Sequence, residues 1–196
     1  MSAQDETAAV ELCRRGAFTE ATEWLLRQYG QEILSYLHAV ERVPEDADDM
    51  FSEVCTALWQ NLPTFRFDCS LRTYAYALAR RKRAHAIHRR AKRVEVATPP
   101  GLAEVAAQVR TTTAEYLRTT ARDRFDLLRQ QLDDDERTLL VLRLDRKLGW
   151  LEIARVLGDS DDDVTAAELT KRAAAARKRY ERIKDQLRKE LRARKS

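Results

Sequence analysis

Cations gather in one place in this chain. Between Arg80 and Arg93 stand Arg80, Arg81, Lys82, Arg83, Arg89, Arg90, Lys92 and Arg93, with His85 and His88 among them, and no acidic residue occurs from Leu71 to Arg93. Such a block attracts a polyanion, and a nucleic-acid backbone is the commonest one; a solvated helix face would carry the same charges. Upstream, Asp46, Asp48, Asp49 and Glu53 form the opposite cluster. Between the two lies TFRFDCS, a short connector holding Phe65 and Phe67. Rings so placed either staple a loop to the core or offer a platform on which an unstacked base can rest.

Side chains that could do covalent chemistry are not arranged for it. His38, His85 and His88 lack metal-ligand spacing, and the last two sit among cations that disfavour a bound metal. Cys13, Cys55 and Cys69 are odd in number and far apart, which indicates neither a disulfide framework nor a zinc site, so buried thiols are expected. Nothing resembles a phosphate-cradling glycine loop or a nucleophile elbow. We therefore expect a binding protein rather than an enzyme, with no metal and no cofactor.

The elements that must position these groups read as helices. Five Gly, four Pro, abundant Ala, Leu, Arg and Glu, and no sustained apolar-polar alternation predict an all-α chain. With 44% hydrophobic residues it can bury one ordinary core or two small ones. A charged fraction of 35% with a net charge of only +4 means that the signs are segregated. The start, MSAQDETAAVELCRRG, lacks the apolar segment of a signal peptide, and no apolar run approaches the roughly 20 residues that span a bilayer, so a cytoplasmic protein is expected.

In order, Leu26, Tyr29, Ile33 and Leu37 mark one stripe of a helix from Phe18 to His38. Pro44 opens a second helix whose stripe is Ala47, Met50, Phe51, Val54, Cys55, Leu58 and Leu62, which leaves Asp48, Asp49 and Glu53 on the other side as an acidic surface. Pro63 ends it. Ser70 is the expected N-cap of the next helix, in which Leu71, Tyr74, Ala75, Leu78 and Ala79 are buried and Arg72, Thr73 and Tyr76 lie off that face.

This succession, PEDADDMFSEV, then FRFDCS, then LRTYAYALAR running into a basic tail, resembles region 2 of a bacterial RNA polymerase sigma factor. It is most similar to the small two-domain, extracytoplasmic-function type. The resemblance implies that Asp46, Asp49 and Glu53 dock on the clamp helices of the polymerase largest subunit. It implies that Phe65, Phe67, Asp68 and Ser70 meet a captured base of the −10 element, with Arg72, Tyr74, Arg80, Arg81 and Arg83 on the DNA side. Phe67 stands where the family often has Gly, Tyr74 where it often has Trp, and Arg81 to His85 replace a stretch that more usually holds Asn and Asp.

From Val94 the pattern dissolves, and Pro99, Pro100 and Gly101 predict an interdomain linker over 94–112, with at most a short helix from Leu102 to Val109 before the threonines at 111–113. The expected domains are thus 1–93 and 113–196. In the second, Tyr116, Leu117, Phe125, Leu128 and Leu132 are core candidates. Asp133 to Asp135 open a helix with Leu139, Leu140, Leu142 and Leu144; Trp150 to Leu157 form a short helix that Gly158 closes. A long last helix begins near Thr165, which has capping-box spacing with Glu168. Short helix, turn and longer basic helix is the order of a helix-turn-helix.

The wording LDDDERTLLVLRLDRKLGWLEIARVLG followed by KRAAAARKRYERI resembles region 4 of the same family, which reads the −35 element and contacts the polymerase flap. It implies Glu168, Thr170, Lys171 and Arg172 at the major groove and Arg177 and Lys178 near phosphate. Asp159 to Asp163 insert an acidic loop where the family has a short turn. A seam of Leu169, Ala173, Ala176, Tyr180, Ile183, Leu187 and Leu191 runs down a helix of roughly 40 Å, whose far half either projects or packs. The joint resemblance implies a promoter-specificity subunit with RNA polymerase core and promoter DNA as partners and an anti-sigma regulator. A helix-turn-helix regulator that never binds polymerase, or a helical protein whose basic faces meet RNA or an acidic protein, would share parts of the pattern.

Overall fold

The computed structural model describes residues 6–41, 44–88, 99–119, 132–158 and 164–193. Among them every regular element is helical. The chain divides into two compact units, Met1–Thr120 and Ala121–Ser196.

The first unit begins with α1 (Thr7–Arg14), after which Gly16, at φ +76°, turns the chain into α2 (Phe18–Val40). Leu26, Ile33 and Leu37 are buried as their spacing predicts, and Tyr29 is half-buried. Leu25, Leu34, Tyr36 and Val40 are buried too, so α2 is apolar on more than one side and is the central helix of the unit. Next comes α3 (Pro44–Asn61), whose stripe from Ala47 through Leu58 is buried and continues into Leu62 of a 3₁₀ turn over Leu62–Thr64.

Helix α4 (Leu71–His88) starts after the connector. Its buried residues include Leu71, Tyr74, Ala75, Leu78 and Ala79, but also Thr73 and Tyr76, expected off that face. The reason is that α4 packs on both α2 and α3, and the Tyr76 ring meets Tyr36 of α2 edge-on at 5.4 Å.

The stretch expected as a linker departs most. Residues 94–98 lie outside the described part, but Pro100–Thr119 is one helix, α5, packed against α2 and α3. The first compact unit, Met1–Thr120, therefore takes in the stretch expected as a linker. Pro100 starts the helix instead of stopping it, since a first-turn residue has no intrahelical use for its N–H. The threonine run is accommodated because the Thr111 and Thr112 hydroxyls donate to the carbonyls of Ala107 and Gln108, each at 3.2 Å, while Thr113 is buried. Leu102, Val105, Ala106 and Val109 supply the apolar face. Gly30 of α2 admits it: a Cβ there would lie 2.9 Å from Val109 Cγ2. Gly30→Val is expected to cost about 1–3 kcal/mol by overpacking, read as a lower urea midpoint at unchanged slope.

In the second unit α6 (Asp134–Leu140) runs on through a wider π turn, Val141–Asp145. Asp133 caps it: its side chain accepts the Glu136 N–H at 2.7 Å, and the Glu136 carboxylate accepts the Asp133 N–H at 3.4 Å. Leu132, Leu139, Leu140 and Leu142 are buried as expected, whereas Leu144, in the final turn before the chain reverses through Lys147 at φ +55°, is exposed. Of the other core candidates, Phe125 and Leu128 lie outside the described residues, and Tyr116 and Leu117 belong to α5. Gly149 caps α7 (Trp150–Val156), its N–H donating to Glu152 Oε2 at 2.7 Å. Gly158 follows the C-cap Leu157, its N–H bonded to the Arg155 carbonyl.

Helix α8 (Ala166–Ala193) is opened by Thr165, whose hydroxyl accepts the Glu168 N–H at 3.2 Å. Its seam is buried from Leu169 through Ala173, Ala176, Tyr180 and Ile183 to Leu187. The far half is thus covered at least as far as Leu187, which answers the choice between projecting and packing. Ala154, Leu169 and Ala173 form the apolar junction of α7 with α8, and Trp150 and Val164 pack around it.

Candidate functional site

The connector from Phe65 to Ser70 separates the roles of its two aromatic rings. Phe65 is buried, its centroid 4.6 Å from Tyr74 and 4.8 Å from Phe67. It is the staple. Phe67 is 41% exposed and sits at φ +58°, a left-handed conformation that costs a side-chain-bearing residue about 1–2 kcal/mol. It is the ring held out to solvent. Tyr74, which the resemblance puts on the DNA side, is buried behind Phe65 as the apolar face of α4 predicts, so its ring shapes the connector from within. Arg66 and Asp68 are exposed and Cys69 half-buried.

Where the connector enters α4, the orphan N–H groups of the first turn are all taken up. Ser70 caps as expected, its hydroxyl accepting the Thr73 N–H at 3.0 Å. The N–H groups of Leu71 and Arg72 donate to the Glu6 carboxylate at 2.8 and 3.1 Å, and the same carboxylate accepts the Tyr29 hydroxyl at 2.9 Å. A carboxylate at a helix N-terminus is also favoured by the helix dipole. Glu6 was not among the sequence candidates. A single glutamate in a polar start carries no signal of a contact so distant in the chain.

Two arginines that the resemblance puts on the DNA side have partners within the fold. Arg72 forms a two-pronged pair with Glu32 of α2 at 2.6 and 2.9 Å, and its guanidinium lies 5.7 Å from the Tyr76 ring centroid. Arg83 is buried, donating to Glu41 at 2.6 Å and to the Val40 carbonyl at 3.1 Å. Each is turned inward because an acidic residue near the end of α2 or along it meets α4 there. Arg80, Arg81 and Lys82 are half-buried, with Arg81 Nε 3.4 Å from the Ala77 carbonyl, and His85 is exposed. Arg89, Arg90, Lys92 and Arg93 lie outside the described residues.

On α3 the acidic surface is as expected: Asp46, Asp48, Asp49 and Glu53 are all exposed, with His38 Nε2 3.3 Å from Asp48. Beside it Arg110 of α5 donates to Ser52 and lies 5.9 Å from the Phe51 ring centroid. Burial pushes the Cys55 thiol beneath this surface up to about 12, so it is an inert core group.

In the second unit Thr170, Lys171, Arg177 and Lys178 are exposed along α8, while Glu168 and Arg172 are half-exposed and pair with each other at 3.1 Å. The Thr170 hydroxyl donates back to the Ala166 carbonyl at 2.8 Å. Below them Arg179 ties α8 to the head of α6 through Asp133 at 3.0 Å and Asp135 at 3.7 Å. Trp150 meets Tyr180 at 5.5 Å, and the Arg143 guanidinium lies 4.6 Å from the Trp150 ring. The short helix α7 is thereby locked to α8. Asp159–Asp163 lie outside the described residues.

Among the described residues no three His, Cys, Asp or Glu are grouped to hold a metal ion, and no helix is long and apolar enough to cross a membrane. The exposed groups of the two units are the acidic face of α3, the Phe67 side chain and the row of Thr170, Lys171, Arg177 and Lys178 on α8.

Comparison with known proteins bears on what they meet. The family model for sigma-70 region 2 matches residues 25–93, which take in most of α2 and all of α3, the connector and α4. The chain is also similar to the RNA polymerase sigma factor YlaC of Bacillus subtilis (strain 168), 31% identical over 144 residues that cover 71% of this chain and 80% of that protein. An alignment of 144 residues is longer than the first unit, which ends at residue 120, so the likeness reaches into the second.

Proposed function

Because the chain belongs to the RNA polymerase sigma factors, in their small extracytoplasmic-function type, we propose that it docks on core polymerase through α3 and opens promoters with the connector before α4. As a sigma factor the protein acts in transcription initiation. The observation that carries it is the exposed ring of Phe67, held out on a strained backbone immediately before a firmly capped helix.

In this reading Asp46, Asp49 and Glu53 meet the clamp helices of the polymerase largest subunit. Phe67 receives a −10 base that has left the stack, with Asp68 and Ser70 beside it, and Arg80 and Arg81 approach phosphate. Phe65, Tyr74, Arg72 and Arg83 support that surface from within. In the second unit Glu168, Thr170, Lys171 and Arg172 approach the −35 element in the major groove, and Arg177 and Lys178 its backbone, while the unit contacts the polymerase flap. Joining two DNA-binding units in one chain makes the second contact intramolecular, which favours promoters bearing both elements. An anti-sigma regulator belongs to the same family reading.

Transcription with purified core on a promoter library is the direct test: core-dependent, promoter-specific run-off product is expected. A stand-alone regulator would instead footprint duplex DNA without core. Reversing Asp49 and Glu53 together to Arg is expected to weaken core binding about tenfold or more, since like charges replace attraction across the interface, while folding stability moves by no more than about 0.5 kcal/mol. Unchanged core affinity in that double variant would remove α3 from the interface.

A further inference from the structure

Glu6 stands outside the matched region and outside every candidate set, yet it accepts three hydrogen bonds at the point where the connector becomes α4. Of the first three N–H groups of that helix, Ser70 serves only the one of Thr73; those of Leu71 and Arg72 depend on Glu6. Tyr29 of α2 fixes the carboxylate from the other side. Burial and the bond to Glu6 raise the Tyr29 pKa, so the phenol stays a donor throughout the physiological range. The backbone of the first turn of α4, and the chain leading into it, are thus tied to α2 through the Glu6 carboxylate, beside the side-chain pair of Arg72 with Glu32.

Resting on the sigma reading above, we propose that Glu6 is a positioning residue for promoter opening: its carboxylate fixes the first turn of α4 and so the connector that presents Phe67. A base can be captured well only where the receiving ring is already in place, because any freedom left in the connector must be lost on capture. Glu6 touches no DNA in this scheme. It acts through Leu71, Arg72 and the backbone that precedes them.

The test compares wild type, Glu6→Ala and the isosteric Glu6→Gln in holoenzyme, on a promoter selected by the wild-type holoenzyme, both as duplex and with its −10 segment already unpaired. Opening of the duplex, followed by fluorescence of a base analogue in the −10 segment, is expected to slow about tenfold in Glu6→Ala and about threefold in Glu6→Gln, as suits loss of hydrogen bonds to a charged group. Initiation from the unpaired template is expected within about twofold of wild type, since the step that needs the fixed connector has been done. Thr19→Val removes the hydroxyl that accepts the Trp59 indole N–H at 3.2 Å, and serves as a destabilised variant of the same unit. It is expected to open the duplex at the wild-type rate.

Equal losses on the two templates, the same duplex defect in Thr19→Val, or unimpaired duplex opening in both Glu6 variants would each overturn the assignment. Should Glu6→Ala not fold, Glu6→Gln decides it by the same comparison. If wild type itself yields no core-dependent transcript, the sigma reading fails first and this assignment falls with it, a result distinguishable from all the others.

Discussion

Replacing Arg83 by Ala is expected to cost about 3–5 kcal/mol of folding stability. The guanidinium is buried, with Glu41 at 2.6 Å and the Val40 carbonyl at 3.1 Å, and the Glu41 side chain is itself only 14% exposed. Removing the cation leaves a desolvated carboxylate and a carbonyl without the donor they now share, and the left-behind charge sets the size of the effect. Replacing both members of the pair by Arg83→Met with Glu41→Leu is therefore expected to recover most of the loss. Urea denaturation of the two single variants and the double variant measures this directly, and a double variant no more stable than Arg83→Ala would contradict it. DNA binding should respond differently. A buried arginine releases no counterion from DNA, so Arg83→Ala, studied where it is folded, should leave the salt slope of open-complex formation unchanged. Arg80→Gln and Arg81→Gln should each lower that slope by about one if each side chain meets a phosphate.

The position of Arg83 was legible in one respect and hidden in another. Leu71, Ala75 and Ala79 are buried, and Arg83 follows them at the same spacing of four, so the stripe itself points inward at Arg83. Its charge and its cationic neighbours argue for DNA, and no local pattern exposes Glu41, 42 residues earlier, as its partner. Arg72 is the same case, paired with Glu32 across 40 residues. Local features were readable in full: the stripe of α3 with its acidic outer side, the Ser70 and Thr165 caps, the acidic start of α6 at Asp133 to Asp135, and the order of α7 and α8. Each depends on residues a few positions apart. Helix α5 was not readable, because its anchor is a gap in another element: Gly30 matters only once Val109 lies over it. A proline pair followed by glycine argues for a break when no partner helix is in view. The likeness to region 2 was carried by a run of neighbouring motifs, whereas the inward partners of Arg72 and Arg83, which the resemblance puts on the DNA side, lie 40 and 42 residues away and leave no local pattern.

Phe67→Gly is expected to separate stability from function more sharply than any other substitution. At φ +58° the backbone strain of about 1–2 kcal/mol disappears with the side chain, while the contact of the ring with Phe65, worth roughly 0.5–1.5 kcal/mol, is lost. The two nearly cancel, and the variant should unfold within about 1 kcal/mol of wild type. Phe67→Ala loses the same ring but keeps the strain, so it should be less stable than Phe67→Gly by about 1 kcal/mol, the reverse of the usual order in regular structure. Promoter opening should follow the ring alone. Stacking of one base on an aromatic side chain is worth about 1–3 kcal/mol, so both variants should open duplex promoters roughly tenfold to a hundredfold more slowly. Phe67→Tyr, which keeps the aromatic face, should stay close to wild type. Gly is the residue that suits a left-handed backbone, and this chain places there a phenylalanine that is 41% exposed. Strained residues cluster at functional sites, and in the proposed function the use of this one is base capture. If Phe67→Gly proved as stable as expected yet opened promoters at the wild-type rate, the ring would be a tolerated substitution on a glycine turn, and the capture of the unstacked base would have to be assigned elsewhere in the connector.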